Sequence, residues 1–157
     1  MSFDLVVLAM NPDATASEAR AMAESCEYES RRHPEGDMDP RIAAFYVELT
    51  QQLPDRPPYS DDAPWSSMPL TLGIDHVVMY MGTGTVSTPA IDLVRSLAQE
   101  HRLVIYDGQG DNVYLPDGSV EPSVHQVQGT VLPLGHGLGG LIGKHEVANA
   151  AHDSRRS

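Results

Sequence analysis

The stretch "HVVMYMGTGTVSTPAIDLVRSLAQEHRLVIYDGQGDNVYL", residues 76–115, decides the fold. Its opening run "HVVMYM" and the later "RLVIYD" are short, apolar and rich in β-branched and aromatic side chains, so each predicts a buried strand. Between them Thr88 is placed as a helix N-cap with Pro89 just inside. Ile91, Val94, Leu97 and Ala98 then recur at three- and four-residue spacing, the buried stripe of an amphipathic helix. Strand, helix and strand make one βαβ unit. "NVYL" predicts a hairpin partner for the second strand, with Gly108 and Gly110 supplying positive φ and Asp111 and Asn112 favouring the turn.

The same reasoning extends outward. "FDLVVLAM", closed by "NPD", reads as a further buried strand. Thr15 and Glu18 have capping-box spacing, and the weak apolar face Ala19, Met22, Ala23 and Cys26 predicts a helix lying on the surface. Asp39 as N-cap and Pro40 at the first helical position open a second helix. Its stripe is Ile42, Phe45, Tyr46, Leu49 and Leu53, and Pro54 ends it. "PDRPPYSDDAPWSSMP" is then a proline-rich acidic loop. The expected architecture is α+β: a single small domain with a four- or five-stranded mixed sheet, two or three helices and one βαβ-hairpin unit. One βαβ unit is too few for a doubly wound sheet. This core spans residues 1–118, and residues 119–157 are read as an edge strand in "SVHQVQGTV" followed by a Gly/His-rich tail.

At 157 residues the chain has the size of one domain, enough to bury roughly 70% of its unfolded surface without disulfide or metal. Cys26 has no cysteine to pair with, and Glu24, Glu27 and Glu29 around it raise a thiol pKa, which argues against a nucleophile. The N-terminus lacks a basic region ahead of its apolar run, and "VLPLGHGLGGLIG" is too short to span a bilayer, so a cytoplasmic location is expected. The formal charge is −12, and residues 1–120 hold the whole excess. A field of that sign repels nucleic acid and anionic membrane and attracts a basic partner.

Motifs for chemistry fail at named positions. Measured from Asp107, a calcium loop would want an acid or amide at Gln109, a glycine where Asn112 stands and a glutamate where Gly118 stands, so the turn glycine and the bidentate carboxylate are both missing. "GLGGLIGKH" has Leu138 where a phosphate loop begins with glycine, and "HEVAN" has Asn149 in place of the second zinc-binding histidine. His125, His136, His145 and His152 match no common zinc spacing. No catalytic set is complete, and no cofactor or metal is expected. Gly82, Thr83 and Gly84 lie between a strand and a helix, where backbone amides hold an anion, and so form an alternative small-ligand or nucleotide site. Ser87 stands in place of the third glycine of a dinucleotide fingerprint there.

The loop "PYSDDAPW" offers a different chemistry. Tyr59 and Trp65 flank Asp61 and Asp62 on a proline-stiffened segment, the combination a protein-binding site uses against a basic partner. Trp65 has a second reading, folding back to cap the sheet edge. The succession "MSFDLVV", "DPRIAAFYVELTQQLPD", "DDAPWSS" and "HRLVIYDGQGDNVY" resembles a family of small acidic bacterial proteins of actinobacterial type, over residues 1 to about 118. Some members of that family look like immunity proteins that neutralise a toxin encoded beside them. The resemblance therefore implies an immunity or antitoxin-like role, and the charge, the aromatic-acidic loop and the lack of a complete catalytic set point to a non-enzymatic inhibitor of a basic protein.

Overall fold

The computed structural model describes residues 2–29 and 36–123. All the described elements belong to one compact unit, Met1–Pro122. In chain order these are β1 (Ser2–Leu8), α1 (Ala16–Glu29), α2 (Pro40–Gln52), β2 (Thr71–Leu72), β3 (His76–Gly82), α3 (Ser87–Glu100), β4 (Val104–Asp107), β5 (Asn112–Tyr114) and β6 (Val120–Glu121). The α+β class holds, with three helices and one sheet among the described residues. The sheet has six strands in the order β2-β3-β1-β4-β5-β6.

Two details differ from the sequence-based expectation. The sheet is longer than four or five strands because β2 and β6 are two-residue edges with no periodicity of their own. Every neighbouring pair is antiparallel rather than mixed. The β3–α3–β4 crossover does leave β3 and β4 parallel to each other, but β1 lies between them and runs opposite to both. Leu5, for instance, faces Met79 on one side and Asp107 on the other.

β1 takes the centre because it is apolar on both faces. Successive strand residues point to opposite sides. Leu5 and Val7 join the core formed with Ile42, Phe45, Leu49, Val94 and Leu97 of α2 and α3. Val6 and Leu8 join Ala19, Ala23 and Cys26 of α1. The result is three layers, with α2 and α3 on one face and α1 on the other. A strand covered on both faces reads as a continuous apolar run, which is what "LVVL" is.

The helix signals act locally as read. Thr15 N–H donates to Glu18 Oε2 at 2.7 Å and Glu18 N–H returns to Thr15 Oγ1 at 3.2 Å, a closed capping box. Asp39 accepts from Arg41 N–H at 2.9 Å. The α3 cap is a correction: the helix begins at Ser87, one residue before the expected N-cap Thr88, which lies inside it. Ser87 Oγ donates back to the Gly82 carbonyl and so starts the helix earlier. At the other end, Arg102 N–H donates to Gln99 O and Leu103 N–H to Ala98 O, at 3.1 and 2.8 Å. This is a Schellman cap with an arginine, at φ 55°, in the left-handed position that glycine usually holds.

The β4–β5 turn is also corrected in detail. Neither Gly108 nor Gly110 takes the positive φ; Asp111 does, at 50°. Asp107 Oδ1 accepts the amides of Gln109 and Gly110 at 3.0 and 3.1 Å, which fixes the first half of the turn. Arg20 of α1 fixes the second half: its Nε donates to Asp111 Oδ1 at 2.8 Å and its Nη2 to the Asp111 and Glu121 carbonyls. The edge strand expected in residues 123–131 lies outside the described residues apart from Ser123; the described edge is β6.

Candidate functional site

The acidic loop begins where Pro54 ends α2 and runs to β2. Asp55 is buried, and its Oδ2 accepts from Tyr46 Oη at 2.8 Å and from Leu70 N–H at 3.1 Å. One carboxylate thus ties the two ends of the loop to α2. Burial first, and this hydrogen bond to Asp55 second, push the Tyr46 phenol above its ordinary pKa.

Trp65 holds the middle of the loop. It is 6% exposed within the core, donates Nε1–H to Leu53 O at 3.3 Å and forms a backbone bridge to Met81 of β3. Gly82 N–H donates to Pro64 O and Ser66 N–H to Tyr80 O, so residues 64–66 lie along β3 as a broken continuation of the β2 edge. Of the two readings for Trp65, the structure realises the capping of the sheet edge.

What the loop presents outward is Tyr59, 51% exposed, with exposed Asp61 and Asp62. Ala63 N–H donates to Ser60 O and Asp62 N–H to Ser60 Oγ, a tight turn that carries both acids at its tip. The tip is thus stiff on its own account and anchored at both flanks.

The Gly82–Thr83–Gly84 turn lies at the same end of β3, joined to the loop by the Gly82–Pro64 hydrogen bond. Gly82 N–H is therefore donated already, and its carbonyl receives Ser87 Oγ. Thr83 and Gly84 are exposed, with nothing within 4 Å of a Cβ built on Gly84.

The opposite end of the sheet holds a cleft that the sequence did not announce. It encloses about 450 Å³ between the β1–α1 loop, the start of α2, Arg102 and the β5–β6 turn. Met10, Pro12, Ala14, Val104, Leu115 and Pro116 give it apolar walls, and Asn11, Arg41, Arg102 and Asp117 are its polar members. Arg41 chelates Asp39 through Nε and Nη2 at 3.0 and 2.8 Å, and its Nη1 reaches the Met10 and Arg102 carbonyls at 3.1 and 3.4 Å. That guanidinium holds Asp39 below the ordinary carboxylate range. Asp117 is held low by Ser119, whose hydroxyl and amide both donate to its Oδ1.

Among the described residues no group of three or more His, Cys, Asp and Glu is arranged to hold a metal, and no helix is long and apolar enough to cross a membrane. The C-terminal histidines His125, His136, His145 and His152 lie outside the described residues. The cleft residues come from four separated segments, so no single motif marks them. The one local signal is a non-glycine residue, Arg102, directly after a helix and before a strand. No protein-family model, curated protein or solved structure matches this chain.

Proposed function

We propose that this chain is a non-enzymatic interaction protein, an immunity or antitoxin-like inhibitor that acts in the cytoplasm on a protein with a basic surface. The observation that carries the reading is the tip of the acidic loop: Tyr59, Asp61 and Asp62 exposed together on a segment clamped by Asp55 and Trp65. An ordered loop loses little conformational entropy on binding, so its contacts convert to affinity. Tyr59 supplies a rigid aromatic contact, and the two carboxylates steer and pair with cationic side chains. Trp65 supports the loop from inside. The net charge of −12 speeds encounter with a basic partner and disfavours nucleic acid.

The test is co-purification with the product of the adjacent gene, followed by titration of the purified pair. Replacing Tyr59 with Ala, or Asp61 and Asp62 with Asn, is expected to weaken binding about tenfold or more without lowering the melting temperature. Absence of any complex, or full affinity in both variants, rejects the reading.

A further inference from the structure

We propose that the cleft at the far end of the sheet, independent of the acidic loop, binds a small carboxylate with an apolar body, and that Arg102 receives the carboxylate. The volume of about 450 Å³ falls within the range of small-molecule sites. Its walls are Met10, Pro12, Val104, Leu115 and Pro116, which suit a hydrocarbon or aromatic body, and exposed Arg102, which has no carboxylate partner among the described residues, lines its rim.

Arg102 is singled out by two independent facts. Its backbone sits at φ 55° in a Schellman cap, where glycine fits without strain and a side chain does not. A side chain at such a position carries about 1–2 kcal/mol of backbone strain, which at Asp111, the other such residue among those described, goes with a turn held by Arg20. The Arg102 guanidinium is also uncommitted among the described residues, unlike its neighbours. Arg20 is bound to Asp111, Arg41 to Asp39 and Arg95 to the Tyr114 hydroxyl. Arg41 lines the same cleft, but its charge is met by Asp39, and its remaining donor ties Met10 O to Arg102 O. It shapes the wall that carries Arg102 rather than offering charge to a ligand. A planar guanidinium recognises a carboxylate by two parallel hydrogen bonds, which an ammonium or an amide does not match. Asp117, the one carboxylate among the described lining residues, has its Oδ1 committed to Ser119 and works against an anion by charge alone.

The experiment titrates the full chain with 4-phenylbutyrate and with its neutral amide, 4-phenylbutyramide, following backbone amides by NMR. The acid is expected to shift the resonances of residues 10–12, 102–104 and 115–117, with affinity about tenfold above that of the amide. Arg102→Gly relieves the strained backbone, so it folds with an equal or higher melting temperature and loses that tenfold preference. Asp117→Asn keeps the turn and binds the acid more tightly. Equal binding of acid and amide overturns the proposal, as does no shift at about 10 mM acid. An Arg102→Gly variant that binds the acid like the unaltered chain overturns it too.

Discussion

At Gly110 a Cβ would lie 2.3 Å from Asn112 Nδ2 and 2.8 Å from Asp107 Oδ2, whereas at Gly84 it would meet nothing within 4 Å. Asp107 is buried and locked by two amide hydrogen bonds, so the turn cannot give way freely. Gly110→Ala is expected to destabilise by about 1–3 kcal/mol, and Gly84→Ala to be neutral or stabilising by about 0.4–1 kcal/mol; urea unfolding midpoints of the two variants measure the contrast. Asp39 makes a second residue-scale prediction. Its folded pKa lies below the unfolded one because Arg41 bonds its charged form. The stability it contributes is complete above the ordinary carboxylate range and is lost as pH falls through the depressed value. The difference in unfolding free energy between the unaltered chain and Asp39→Asn should therefore shrink as pH drops from 6 towards about 3, and a constant difference would contradict the pairing.

At the scale of elements, the strands and helices with strong periodicity were legible in the sequence. "LVVL" is continuous because β1 is buried on both faces, and the α2 and α3 stripes face one core. β2 and β6 were not legible, since two residues carry no period. The start of α3 shifted by one residue because Ser87 bonds a carbonyl five residues back, a contact that depends on the turn's path. The acidic loop was recognised by composition, but its clamp was not: Asp55 looks like one more surface acid in the sequence, and only folding brings Tyr46 and Leu70 to it. Asp55→Ala leaves the buried Leu70 amide unpaired and removes one partner of the half-buried Tyr46 phenol, an expected loss of about 1–3 kcal/mol. Limited proteolysis should then cut residues 56–63 faster, before global unfolding. Cleavage at the unaltered rate would show that Trp65 alone holds the loop.

Across the whole molecule, the two ends of the sheet differ in character. One end presents Tyr59, Asp61 and Asp62 on a clamped loop; the other encloses the cleft beside Arg102. The first was visible in the sequence because its residues are contiguous. The second was invisible because its residues are drawn from four segments that meet only when β1, β4 and β5 pair. The excess negative charge was equally plain in the sequence, and the proposal that it serves a basic partner rests on it being concentrated, in part, at an ordered aromatic tip. The most direct test is the affinity of the purified chain for its co-purified partner at low salt and at about 0.5 M salt, where exposed charges are screened beyond a few ångströms. Affinity is expected to fall steeply with salt in the unaltered chain, and replacing Asp61 and Asp62 with Asn to remove most of that dependence. An affinity that is the same at both salt concentrations, or a salt dependence untouched by the double substitution, would contradict the proposal.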